Sequence, residues 1–138
     1  MTATTLYRIS AVLLVLFAAG HTFGFIKFKA PTAEGQALRA SMDSVKMEVE
    51  GKTYTYGGFY QGFGLMLTAY LLFLAVLAWH MGTLAGANPQ AIGMLGWAFV
   101  GVLLVTLGLS LKYFVPPPAI LSGVLTVLLA WAALALKK

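Results

Sequence analysis

The sequence predicts an all-α integral membrane protein: an antiparallel four-helix transmembrane bundle with a structured polar cap, a short helix plus a β-hairpin, between helices 1 and 2. Composition is the first reason, since 60% of the 138 residues are hydrophobic and 9% are charged, against roughly 45–50% and about 25% in an average soluble domain. A soluble core cannot hide that much apolar surface. The other reasons are long apolar runs and the short links between them.

Four apolar runs approach or exceed the ~20 residues that cross a hydrocarbon layer of ~30 Å as a helix. They cover residues 6–26, 62–81, 92–111 and 115–136. Because the later links are short, consecutive helices should be antiparallel neighbours. We therefore expect residues 1–138 to form a single domain with both termini on the same side of the membrane.

The first run has an alternative interpretation as a secretory signal peptide. Arg8 precedes an apolar stretch over 11–19, and small residues occupy 18–20, which is the order of features in such signals. We expect the segment to be retained as the first span, with cleavage as the alternative.

Residues 27–61 are predicted to form an ordered cap rather than a slack loop. Pro31 and Thr32 precede apolar residues at 33, 37, 38, 42 and 45, which is the spacing of one helix face. Threonine is a favoured N-cap residue. We expect a short amphipathic helix that begins after Thr32.

The sequence that follows this helix alternates between apolar and charged residues, as a half-buried β-hairpin does. A glycine-first turn at 51–52 would join the strands, and in that register Val49 faces Tyr54 while Met47 faces Tyr56. Since an isolated hairpin is marginally stable, we expect it to rest on the ends of the helices.

The net charge of +5 does not indicate a nucleic-acid partner, because the nine Lys and Arg residues are scattered along the chain. Contacts with membrane lipids explain them more simply. The cap carries many of the basic residues and all four acids, whereas the other side has a doubly basic C-terminus. The positive-inside rule therefore leaves the orientation open.

Glycines spaced four apart lie near the capped end of the first two spans. Gly20 and Gly24 form one pair, and Gly58 and Gly62 form the other. Small residues at this spacing let helix backbones approach closely in lipid. We prefer this packing interpretation, and the alternative is a backbone left accessible to a ligand.

The two histidines are predicted to lie at different depths. His21 is about one turn inside the capped end of span 1, where it needs a partner or a wet cavity. It follows small residues and precedes Thr22. His80 follows Trp79 at the opposite end of span 2, where an interfacial anchor is expected. At roughly 1.5 Å per residue the two are about 25 Å apart in depth, so they cannot share one metal ion or haem. We predict neither a metal site nor a cofactor.

A ligand-binding site is the hypothesis for the capped end. Its members are the polar and aromatic residues that should converge there: His21, Tyr54, Tyr56, Tyr60, Gln61 and Lys112. For His21 the competing interpretation is a hydrogen bond to a neighbouring backbone group or a cap tyrosine. For Lys112 it is an ammonium group that reaches the lipid headgroups.

Several classes of chemistry lack their residues. The four spans contain no Asp or Glu, so a carboxylate proton relay is not expected. No phosphate loop, HExxH motif or nucleophile elbow occurs. The absence of cysteine excludes disulfides and thiolate metal sites.

The motifs GHTFGF in the first span, VxGxxYxYGGFYQGFGL leading into the second and AWHMG closing it resemble a family of small bacterial four-helix inner-membrane proteins without an assigned function. The resemblance covers the whole chain and implies a location in the bacterial inner membrane. A looser likeness, through RISAVLLVLFAAG, is to DoxX-like membrane proteins, which are linked to quinone or redox partners. Neither resemblance supplies catalytic residues.

Two classes of function remain. We prefer a non-catalytic membrane module that binds a lipophilic ligand, a lipid or quinone, or a membrane partner protein through its capped end; a homo-oligomer is compatible with this interpretation. The alternative is a small membrane enzyme that acts on a lipid or quinone, with His21 as acid or base, Tyr60 as its partner and Lys112 holding an anionic head. General acid–base chemistry usually needs a tuned pair of groups, and His21 is the one histidine expected at that end.

Overall fold

Helices account for most of the chain in the computed structural model, which describes residues 1–136. The elements in chain order are α1 (Ala3–Lys27), α2 (Ala33–Ser44), β1 (Lys46–Val49), β2 (Lys52–Thr55), α3 (Tyr56–Ala87), a 3₁₀ turn (Pro89–Ala91), α4 (Leu95–Tyr113) and α5 (Pro116–Ala135). Four of these helices, α1, α3, α4 and α5, are long and apolar enough to cross a membrane. The predicted set of four long apolar helices, one short helix and one hairpin is confirmed.

The largest difference from the predicted boundaries is in α3, which has 32 residues and extends beyond the apolar run 62–81 at both ends. Its start is capped by Thr55, whose hydroxyl accepts a hydrogen bond from the Gly58 N–H at 3.0 Å. Its end comes just before Asn88 and Pro89, where proline disfavours a helical conformation in the preceding residue. The ordered cap therefore ends at Thr55, and Tyr56, Tyr60 and Gln61 belong to a helix.

The last two helices begin and end close to the predicted positions. The backbone N–H of Phe114 bonds to the carbonyl of Ser110 at 3.1 Å and closes α4. Three prolines then open α5, in the first turn where a missing N–H costs nothing. Because so short a link joins two helices that pack against each other, α4 and α5 run antiparallel.

The chain divides into two compact units. The first unit contains residues 1–17 and the chain from Leu71 onward. Its core is made of fully buried side chains from all four long helices, including Leu6, Tyr7, Leu14, Met81, Leu103, Leu125 and Leu129. Two glycines permit close contacts in it: a Cβ at Gly82 would lie 3.3 Å from the carbonyl oxygen of Thr4, and one at Gly96 would lie 2.9 Å from the Tyr7 hydroxyl.

The second unit spans Ala18–Tyr70 and contains the end of α1, α2, the hairpin and the start of α3. Within residues 1–136, Ala18 is its one buried apolar residue. The two helix segments run antiparallel, since His21 lies opposite Gly64 and Phe25 lies opposite Tyr60. This unit depends on polar and ring contacts more than on a packed core.

The hairpin is confirmed, but its predicted register is wrong. Met47 pairs with Tyr54 and Val49 pairs with Lys52, so the turn residues are Glu50 and Gly51. Both have positive φ angles, 50° and 74°, which is the requirement of a type I′ turn. That turn matches the twist of the strands, and this advantage outweighs the strain of a non-glycine residue at the first position.

The glycine pairs do not act as predicted. A Cβ placed at Gly20, Gly24 or Gly62 would meet nothing within 4 Å in the described chain. The glycines that permit close packing between helices of the second unit are Gly57 and Gly64 instead. A Cβ at Gly57 would collide with Asp43 of α2, and a Cβ at Gly64 would collide with the Phe25 ring.

The four long helices leave much of their apolar surface exposed. Between 17% and 39% of each apolar stretch is buried, and exposed side chains include Leu16, Phe73, Val76, Val105 and Val127. Soluble monomers seldom expose large contiguous apolar patches. The composition is thus matched by an apolar exterior as well as an apolar core.

Candidate functional site

The second unit contains most of the residues predicted to form a site. Five of the six predicted residues belong to it, namely His21, Tyr54, Tyr56, Tyr60 and Gln61. Lys112 lies at the end of α4, in the first unit, where its ammonium group is 5.1 Å from the centre of the neighbouring Tyr113 ring. The site is therefore described from the second unit alone.

His21 is fixed by a backbone group on the facing helix segment. Its Nε2 lies 3.0 Å from the carbonyl oxygen of Gly64. A carbonyl only accepts, so Nε2 must carry the proton and donate it. The competing interpretation of His21, a hydrogen bond to a backbone group, thus describes its contact in the structure.

A second polar contact joins the same two helix segments. The hydroxyl of Thr22 donates to the carbonyl of Ala18 at 2.7 Å, which leaves it to accept from the Thr68 hydroxyl at 2.8 Å. His21 and Thr22 therefore connect α1 to α3 at adjacent positions. Such inter-helix hydrogen bonds hold helices together where apolar burial is small.

The rings next to His21 form a continuous stack. His21 and Phe25 are nearly parallel, with centroids 5.7 Å apart, and Phe25 lies 5.3 Å from Tyr60. The guanidinium carbon of Arg39 lies 5.3 Å from the centre of the Tyr60 ring. We call His21, Phe25, Tyr60 and Arg39 the ring stack. It leads from the α1–α3 contact to α2.

Gly64 makes the ring stack possible. It accepts the hydrogen bond of His21 through its carbonyl, and its missing side chain leaves the space that the Phe25 ring occupies. A larger residue at this position would displace Phe25 from between His21 and Tyr60.

Helix α2 is held in place by its cap and by its contacts near its C-terminal end. The Thr32 hydroxyl accepts from the Gly35 N–H at 3.1 Å, as predicted. Arg39 donates through Nε to Asp43 at 3.3 Å, and the Asp43 carboxylate lies against Gly57 at the start of α3. The side chain of Arg39 is thereby directed toward Tyr60.

A groove of about 960 Å³ opens between the end of α1, the segment after it, α2 and the start of α3. We call it the cap groove. Its apolar lining is formed by Phe25, Ile26, Phe28, Leu38 and Met42, and its polar lining by Lys29, Gln36, Arg39, Tyr60 and Gln61. A groove with an apolar part and a cationic part matches the two chemical parts of an amphipathic molecule.

Of the predicted site residues, Tyr60 and Gln61 line the cap groove, and His21 supports it through Phe25. Tyr54 packs edge-on against Phe59, with centroids 5.9 Å apart. Tyr56 is the exposed first residue of α3. In the described chain neither tyrosine has a ring contact or hydrogen bond with His21. The structure therefore brings together only some of the predicted site residues.

The sequence analysis missed Phe25, Lys29 and Arg39. Phe25 follows His21 by one helical turn, and Arg39 precedes Asp43 by the spacing of an ion pair on a helix. Both signals were present in the sequence. What the sequence did not contain was the placement of α2 beside Tyr60, which depends on Gly57.

The site combines an apolar surface with cationic and amide side chains. The described residues contain no group of three His, Cys, Asp or Glu side chains that could hold a metal ion. No carboxylate pairs with His21 within residues 1–136. Comparison with protein-family models, with curated proteins and with solved structures gives no significant match for this chain.

Proposed function

We propose that the chain is an integral membrane protein whose helices α1, α3, α4 and α5 cross the bilayer as an antiparallel bundle. The exposed apolar side chains of these helices support this proposal, because lipid tails would cover them without cost. Helix α3 has 32 residues and is thus about 48 Å long at roughly 1.5 Å per residue. It exceeds a hydrocarbon layer of ~30 Å, so at least one of its ends would project into the headgroup region.

We further propose that the protein is a non-catalytic module that holds a lipophilic molecule in the cap groove. The observation that carries this proposal is the division of the groove lining into apolar side chains and polar or cationic ones. A lipid enters such a groove from the headgroup region with its tail against Phe25 and Met42 and its polar part toward Arg39. The lipophilic ligand is the occupant, and the membrane supplies it.

His21 supports the groove in this proposal and performs no chemistry. Its Nε2 proton is engaged by the Gly64 carbonyl, and its ring stacks on Phe25. A general base needs access to the proton that it abstracts and usually a second group that tunes it. The enzyme alternative has less support for this reason.

Replacing Met42 by Trp tests the proposed groove. Met42 lines the groove and is half-buried, so the larger indole should occupy the space of the ligand. We expect the purified Met42→Trp protein to retain several-fold less co-purified lipid, measured by native mass spectrometry and by lipid extraction, because steric overpacking excludes the ligand.

Met47→Trp is the matched control. Met47 is also a half-buried methionine of the second unit, but it lies in β1 and does not line the groove. Equal lipid retention by the two variants would overturn the assignment of the groove as the binding site.

A further inference from the structure

We infer that the occupant of the cap groove is an anionic glycerophospholipid, whose phosphate is bound by Arg39 and Lys29. The inference rests on the proposed function and specifies the chemical class of its ligand. Both side chains line the groove, and no carboxylate does.

The charge of the groove lining is the first reason to expect an anionic occupant. Lys29 makes no ion pair within residues 1–136, and the ion pair of Arg39 is with Asp43, which lies outside the groove lining. An anionic occupant would therefore supply the negative charge that the lining of the groove lacks. A neutral quinone would leave Lys29 without a counter-charge.

The geometry of Arg39 is the reason to expect a phosphate group. One guanidinium donor, Nε, is used by Asp43, and the guanidinium lies over the Tyr60 ring. These two contacts hold the side chain in place and leave the terminal N–H groups free of other hydrogen bonds in the described chain. Those groups have the planar arrangement that binds two phosphate oxygens at once.

The remaining lining distinguishes a glycerophospholipid from a fatty acid. Beside the two cations, the groove presents the side-chain amides of Gln36 and Gln61. Gln36 uses one N–H of its Nε2 on the Ala30 carbonyl at 3.2 Å, so its second N–H and the Gln61 amide can donate to the ester carbonyls of a glycerol backbone. Phe28 and Leu38 are large apolar side chains that are 72% and 64% exposed, and acyl chains would cover them.

The test measures lipid selectivity by native mass spectrometry. Delipidated protein in a neutral detergent is titrated with phosphatidylglycerol, phosphatidylcholine, oleate and inorganic phosphate in separate arms. We expect preferential retention of phosphatidylglycerol. Arg39→Gln should weaken that retention about tenfold, since it removes charge-assisted hydrogen bonds, and Lys29→Gln should weaken it less. Neither variant should change retention of phosphatidylcholine comparably.

Two control variants separate binding from structure. Lys52→Gln removes a lysine of the same unit that lies in β2 and does not line the groove, and it should leave the selectivity unchanged. Asp43→Asn removes the ion pair of Arg39 while keeping the shape of the side chain. If Arg39 binds phosphate, Asp43→Asn maintains or raises phosphatidylglycerol retention; if Arg39 serves only the ion pair, Asp43→Asn lowers retention as Arg39→Gln does.

The outcomes distinguish this inference from the proposed function. Equal retention of phosphatidylglycerol and phosphatidylcholine, or an unchanged preference in Arg39→Gln, overturns the headgroup assignment while the effect of Met42→Trp still supports a lipophilic ligand. Equally strong binding of oleate or of free phosphate overturns the glycerophospholipid assignment. If Met42→Trp also has no effect on any lipid, the proposed function fails together with the inference.

Discussion

His21 and Arg39 lie at the two ends of the ring stack, and each contacts a group of α3 that the sequence does not pair with it. The position of His21, among small residues near the end of an apolar run, was sufficient to single it out. Its partner is a backbone carbonyl of α3, and every residue has such a group, so no residue pattern indicates it. Arg39 was missed because its importance depends on the Tyr60 ring beneath it.

Replacing His21 by Phe tests whether the hydrogen bond from His21 to the Gly64 carbonyl contributes to stability and to lipid retention. The phenylalanine ring can still stack on Phe25, but it cannot donate to the Gly64 carbonyl. One inter-helix hydrogen bond is worth about 0.6–2 kcal/mol in a membrane, so we expect the protein to remain folded, with a modestly lower thermal midpoint and several-fold weaker lipid retention.

His80→Phe is the control for this substitution, because His80 is exposed and belongs to the first unit. It should change neither the thermal midpoint nor the lipid retention comparably. If both variants retain lipid as the unsubstituted protein does, the ring stack has no part in binding.

At the scale of elements, the apolar runs predicted the presence of each long helix but not its full length. Hydropathy marks the stretch that suits a hydrocarbon environment, whereas a helix continues until a cap or a proline stops it. Helix α3 extends past its apolar run for this reason and covers Tyr56–Ala87, between the Thr55 cap and Asn88. The predicted hairpin register was wrong for a different reason. The sequence suggested a turn with glycine first, whereas Glu50 takes that position with a positive φ angle.

Relief of the strain at Glu50 is the prediction for the hairpin. Asparagine adopts positive φ angles more readily than glutamate does, so Glu50→Asn should stabilise the type I′ turn by about 1 kcal/mol. We expect amide hydrogen exchange in β1 and β2 to slow by roughly fivefold. Glu48→Asn, in the extended β1 strand, should accelerate exchange or leave it unchanged. A faster exchange in Glu50→Asn would contradict the assignment of the turn.

At the scale of the whole molecule, composition and the length of the apolar runs predicted the main features of the fold. They indicated the class of protein and the number of long helices, because the hydrophobic effect depends on area and not on detailed geometry. They could not indicate the division into two units with unequal cores. Nor could they indicate that Gly64 meets a neighbouring side chain and Gly20 meets none, although both belong to the second unit.

The proposed four-span topology makes a prediction about sidedness that the composition helps to test. The chain has no cysteine, so each single-cysteine variant reports one position without background labelling. Thr2 precedes α1, Lys52 lies in the hairpin after α1, and Asn88 follows α3. Since each spanning helix reverses the side, Thr2→Cys and Asn88→Cys should react with a membrane-impermeant maleimide from one side of sealed vesicles, and Lys52→Cys from the other. Which side each probe reports also settles the orientation that the basic residues leave open. Labelling of all three positions from the same side would be incompatible with four membrane-spanning helices. In that case a protein partner, rather than lipid, would have to cover the exposed apolar faces of the helices.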